Sequence, residues 1–90
     1  MTDYNKEIET FKRFASDKLT THQNELNTRY ENEQIDNDTL EKGYAEHRKI
    51  LAQELKEKSD TLLSGIDNPW LKEELNNISE TFIQQLSPKN

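Results

Sequence analysis

Two long stretches of the sequence place their apolar residues at matching intervals of three and four. The face of the first stretch contains Tyr4, Ile8, Phe11, Ala15, Leu19, His22, Leu26 and Tyr30. The face of the second contains Leu40, Tyr44, His47, Leu51, Leu55, Lys58, Leu62 and Ile66. Such spacing puts side chains on one side of an α-helix, so it predicts two long helices, at about 3–33 and about 38–64.

The order of these steps also predicts how the two helices pair. If the chain folds back near Ile35, each residue of the first face read forwards meets one of the second face read backwards, and the two numbers of every pair sum to 69 or 70. This register places His22 opposite His47 and Leu26 opposite Tyr44. The pattern therefore favours a long antiparallel hairpin over two unrelated helices.

Capping and stop signals indicate where the second helix begins and ends. Asp38, followed three residues later by Glu41, is typical of a capping box. Ser64 and Gly65 are typical of a C-terminal stop. Gly43 lies inside the predicted helix, at a cost of about 1 kcal/mol relative to alanine, which suggests a close packing contact there.

A third, shorter helix is predicted at about 69–86. Asn68 has the residue type of an N-cap, and Pro69 suits the first helical position. The apolar face consists of Leu71, Leu75, Ile78, Phe82 and Leu86. At roughly 27 Å this helix can cover only part of the hairpin, and a short turn after Ile66 directs it along the half near the termini. We therefore predict one all-α domain, a three-helix bundle, over residues 1–90.

The composition restricts the classes of function that are open to the chain. A net charge of -6 argues against direct binding to nucleic acid or to an anionic membrane. The absence of cysteine excludes disulfides, thiolate zinc sites and cysteine nucleophiles. No signal peptide and no apolar run of about 18 residues is visible, so a cytoplasmic location is expected.

The segment "YENEQIDNDTLEKGY", residues 30–44, is strongly acidic and spans the predicted hairpin tip. It lacks the calcium-loop motif, since its glycine comes too late for that pattern. The favoured interpretation is a solvated turn. The alternative is a recognition tip for a basic partner, in which apolar anchors lie beneath the acidic side chains. The residues of this candidate site are Leu26, Tyr30, Glu31, Glu33, Asp36, Asp38, Leu40 and Tyr44.

His22 and His47 are the two histidines of the chain and are predicted to share a layer of the hairpin. They could bind a metal together with Glu25 or Glu46, or act as a pH-sensitive latch. With two nitrogen ligands and no HExxH spacing, a hydrogen-bonded layer is the favoured interpretation. We therefore expect no metal and no other cofactor.

Trp70 is the largest apolar side chain and lies in the first turn of the third helix. The favoured interpretation packs it against Ile66 and the start of the first helix. The alternative is an exposed anchor for a partner.

No catalytic constellation or phosphate-binding glycine loop is present, so we expect no enzymatic activity and no catalytic residues. The first functional hypothesis is a protein-protein interaction module that forms homo- or hetero-oligomers. Roles of that class include a small secretion chaperone or adaptor, and a toxin-neutralising immunity or antitoxin protein. The alternatives are a metal- or pH-responsive switch centred on His22 and His47, and an acidic decoy of nucleic acid. The hypothesis of an acidic decoy is weakened by four basic residues of the second helix: Arg48, Lys49, Lys56 and Lys58.

Overall fold

Three α-helices account for most of the chain in the computed structural model, which describes residues 4–31 and 35–87. Helix α1 is Asn5–Tyr30, α2 is Asn37–Leu63 and α3 is Pro69–Gln85. Each helix packs against the other two, and the molecule measures 55 × 20 × 18 Å. The predicted three-helix bundle is confirmed, with boundaries within a few residues of those expected. Within the described ranges, no helix combines the length and the apolar character that crossing a membrane requires.

The start of α2 differs from the prediction. Its N-cap is Asp36, whose side chain accepts a hydrogen bond from the backbone N–H of Thr39 at 2.8 Å. The helix therefore begins at Asn37, and the predicted capping box of Asp38 and Glu41 is wrong by two positions. Both aspartates have the residue type of a cap, but only Asp36 has the extended backbone that a capping residue adopts.

The turn between α2 and α3 follows the predicted signals closely. Gly65 has a φ of 80°, a conformation that glycine adopts at little cost, and it follows Ser64, the C-cap of α2. At the start of α3, Asn68 Oδ1 accepts a hydrogen bond from the Leu71 N–H at 3.2 Å, and Pro69 occupies the first turn. Local residue types alone thus determine this connection.

The core is built from all three helices. Eight of its residues have no exposed surface: Phe11, Ala15, Leu26, Leu51, Leu55, Leu71, Leu75 and Leu86. Full burial of a leucine or phenylalanine side chain contributes roughly 1.5–3 kcal/mol. The chain is only 30% apolar, and partly buried apolar side chains such as Leu19 and Phe82 pack against this small set.

Helix α3 stops part of the way along the hairpin. The guanidinium of Arg48 donates a hydrogen bond from Nη1 to the carbonyl oxygen of Leu86 at 2.9 Å. The end of α3 therefore lies beside Arg48, next to the level of His47. Beyond this level α1 and α2 continue to the tip as a pair.

Tyr30 and Gly43 make the close contact that the sequence suggested near the tip. A Cβ atom at residue 43 would overlap the hydroxyl end of the Tyr30 ring. Gly43 is buried, so the ring occupies space that any larger residue at this position would need. The glycine inside α2 is thereby explained by packing.

Candidate functional site

His22 of α1 and His47 of α2 face each other across the hairpin. Their Nδ1 atoms lie 2.8 Å apart, and the ring planes are at 83° with centroids separated by 5.0 Å. His22 is buried, with 6% of its surface exposed, and the His47 side chain is 14% exposed. The predicted histidine layer is therefore confirmed.

Glu54 of α2 holds the second nitrogen of His22. The Glu54 Oε1 atom accepts from His22 Nε2 at 2.7 Å, and Glu54 Oε2 is 3.1 Å from the ammonium of Lys18. Desolvation raises the pKa of Glu54, but the hydrogen bonds from His22 and Lys18 outweigh it, so the pKa lies below its ordinary value. Glu54 is therefore a carboxylate that accepts from both neighbours.

These contacts determine where the protons of the layer lie. Because ionised Glu54 can only accept, His22 Nε2 carries a hydrogen. In neutral His22 the Nδ1 atom then has a free lone pair, and it accepts from a hydrogen on His47 Nδ1. Hydrogens on both Nδ1 atoms at once would be incompatible with a separation of 2.8 Å.

Glu25 completes a cluster of three possible metal ligands. It follows His22 by three positions in α1, so both side chains lie on the same side of the helix. Its Oε2 atom is 3.9 Å from His47 Nδ1, and the ligand atoms of His22, Glu25 and His47 all lie within 4.8 Å of one another. Glu46, the other carboxylate considered from the sequence, belongs to no such cluster in the described part of the chain.

Sequence reasoning missed Glu54 and Lys18 as members of this site. A signal for both was available in their spacing. Glu54 follows His47 by seven positions and Lys18 precedes His22 by four, which puts each on the face of its histidine. Charged residues at such positions commonly point to solvent, so this signal alone does not assign them to the site.

The acidic tip divides into structural and exposed carboxylates. Asp36 caps α2, and the hydrogen bonds from Thr39 lower its pKa. Glu31 and Asp38 are exposed, while Glu33 lies outside the described residues. The tip therefore presents a smaller set of unengaged acidic groups than the sequence indicated.

The four apolar residues of the candidate tip site are not equally accessible. Leu26 has no exposed surface and Tyr44 is 6% exposed, so both belong to the core. Tyr30 and Leu40 are half-buried and keep part of their surface available. Of the predicted anchors, only these two present an apolar surface to solvent in this conformation.

Trp70 does not pack into the turn as the favoured interpretation held. It is 58% exposed, so that interpretation is wrong, and the side chain has the exposure that the alternative of a partner anchor requires. A cleft of about 480 Å³ adjoins the neighbouring Pro69. Its lining combines apolar and polar side chains: Asp60, Leu63, Ile66, Asp67, Asn68, Pro69 and Lys72.

Comparison with known proteins gives no relative for this chain. No protein-family model, no curated protein and no solved structure matches it.

Proposed function

We propose that this chain is a non-enzymatic protein-binding module that engages its partner through the Trp70 end of the bundle. The observation that carries this proposal is the 58% exposure of Trp70, which is higher than the 50% of Ile50, the other exposed large apolar residue in the described part of the chain. Tryptophan is enriched among the residues that contribute most to protein-protein binding. Leaving such a side chain in water is unfavourable unless a partner covers it.

The cleft that adjoins Pro69 has the mixed composition of an interface. Leu63, Ile66 and Pro69 contribute apolar surface to its lining, and charged and amide side chains contribute the rest. Surfaces that bind another protein typically combine apolar and polar side chains. Trp70 and this cleft together form what we call the Trp70 surface.

The charge of the chain favours a basic partner. At the opposite end of the hairpin, exposed Glu31 and Asp38 stand near the half-buried Tyr30 and Leu40. Complementary charge would accelerate encounter with a basic protein, and the apolar side chains would add contact area. The acidic tip is therefore proposed as a second, electrostatic contact.

The test places a photo-activatable amino acid at position 70 and, as a matched control, at the exposed position 49 of α2. We expect a discrete cross-linked product from position 70, in purified protein for self-association or in producing cells for another partner. Excess unmodified protein should suppress the product, whereas the variant Trp70→Ala should not. Equal labelling from positions 70 and 49, with a monomer in sedimentation equilibrium at every concentration, would contradict the proposal.

A further inference from the structure

We propose that His22, His47 and Glu25 form a binding site for a zinc-type divalent cation, with Glu54 as a positioning residue. The proposal is independent of the Trp70 surface. It concerns the middle of the hairpin, where the ligands come from both α1 and α2. A bound cation would therefore join the two long helices directly.

The donor set selects the class of metal. Two imidazole nitrogens and one carboxylate oxygen suit Zn²⁺ and its transition-metal neighbours better than Mg²⁺ or Ca²⁺, which prefer oxygen ligands. Three protein ligands leave a fourth position for water. The Glu25 side chain is 59% exposed, so water reaches the carboxylate end of the cluster.

Glu54 prepares His22 for this role before any metal binds. Histidine ligands of metals commonly donate their other ring N–H to a carboxylate, which fixes the tautomer and the orientation of the ring. The 2.7 Å contact from His22 Nε2 to Glu54 has this arrangement, and it leaves Nδ1 of neutral His22 free to coordinate. Lys18 holds the other oxygen of Glu54 at 3.1 Å.

The cation takes the place of the hydrogen that joins the two rings. Without metal, His47 Nδ1–H donates to His22 Nδ1 over 2.8 Å. On binding, the hydrogen leaves His47 Nδ1 and the neutral ring carries one on Nε2 instead, so both Nδ1 lone pairs face the metal. Zn–N bonds of about 2.0–2.1 Å at a tetrahedral angle separate two nitrogens by roughly 3.3 Å. The rings must therefore separate by roughly half an ångström, a shift that small side-chain rotations supply.

Calorimetric titration of the full chain with Zn²⁺ at neutral pH tests the site. We expect one ion per chain, with binding at least tenfold weaker in Glu25→Gln and roughly 10–100-fold weaker in Glu54→Ala. Glu54→Gln should lose less Zn²⁺ affinity than Glu54→Ala, because the amide oxygen of glutamine can still accept the hydrogen bond from His22. Glu46→Gln is the matched control and should bind as the wild type does. These variants avoid the buried His22, and circular dichroism verifies their folding.

Long-range ¹H–¹⁵N spectra of the imidazoles identify the coordinating atoms. Zn²⁺ should shift Nδ1 of both His22 and His47 and should raise the thermal midpoint of the wild type more than that of Glu25→Gln. Three results would each overturn the site: no saturable binding, one ion shared between two chains, or equal affinity in Glu25→Gln and Glu46→Gln. A shift confined to Nε2 atoms would also overturn it.

Discussion

The ring of Tyr30, at the end of α1, occupies the space where a side chain at residue 43 of α2 would begin. The contact lies near the tip, beyond the part of the hairpin that α3 covers. In the part of the chain that the structure describes, α1 and α2 pair there without α3, so a close approach of ring to backbone helps to hold them together.

The first prediction concerns this contact. Gly43→Ala gains about 1 kcal/mol of helix propensity but displaces the half-buried Tyr30 ring, whose lost burial is worth roughly 1–2 kcal/mol. We expect Gly43→Ala alone to lower the free energy of unfolding slightly. In the Tyr30→Ala background the same change should raise it by about 1 kcal/mol. Urea denaturation measures both, and the same sign in the two backgrounds would refute the packing argument.

The exposure of Trp70 leads to a second prediction. Trp70→Ala should change the free energy of unfolding by less than about 0.5 kcal/mol, as is usual for surface substitutions. Phe11→Ala, at a fully buried position, should cost about 3–5 kcal/mol. Denaturation followed by circular dichroism compares the two. A loss above about 2 kcal/mol in Trp70→Ala would mean that the side chain is structural after all.

Glu54 provides a prediction about pH. Folding lowers the pKa of Glu54 from its unfolded value of about 4.5. The ionised group therefore stabilises the protein fully at pH values above 4.5, and this contribution is lost as the pH falls through the pKa of the folded state. Glu54→Gln should therefore cost about 1 kcal/mol at neutral pH, and the difference from the wild type should shrink below pH 4.5.

Denaturation between pH 3 and pH 7 measures this difference. The control is Glu57→Gln, one turn further along α2, where the carboxylate is exposed and accepts only from Gln53 among the described contacts. The free energy of unfolding of Glu57→Gln should differ less from that of the wild type, and the difference should change less with pH. If the stability lost in Glu54→Gln relative to the wild type grows as the pH falls, the proposed role of Glu54 is contradicted.

The N-cap of α3 supplies the fourth prediction. Asn68→Ala removes the acceptor for the Leu71 N–H and should lower the free energy of unfolding by about 1 kcal/mol. Asn68→Ser keeps an acceptor and should retain most of the stability. Hydrogen exchange at the Leu71 amide reports the bond directly, and unchanged protection in Asn68→Ala would show that the cap contributes nothing.

The helices and their pairing were predictable because they rest on short, repeated spacings. The order of apolar steps places His22 opposite His47 without any knowledge of the fold, and the structure joins these two rings. Gly43 was likewise predictable as a packing site, since a buried glycine within a helix needs a reason. In each case the signal lies in the residue type and its immediate spacing.

The features that escaped prediction depend on the rotation of a helix or a side chain, and on which of two similar residues occupies a given position. Trp70 precedes Leu71, and a modest rotation of α3 about its axis decides which of the two enters the core. Asp36 and Asp38 are equally good caps by type, and the choice between them depends on where Leu40 must lie. Glu54 acts through a rotamer that reaches His22, and spacing alone does not specify it.

The length of α2 sets the distance between the two ends of the molecule. Its 27 residues span roughly 40 Å between the acidic tip and the turn that leads to Trp70. Two molecules attached at these ends would have their attachment points held at that separation. Adding one helical turn to α1 and one to α2 would lengthen that separation by roughly 5.4 Å without altering either end.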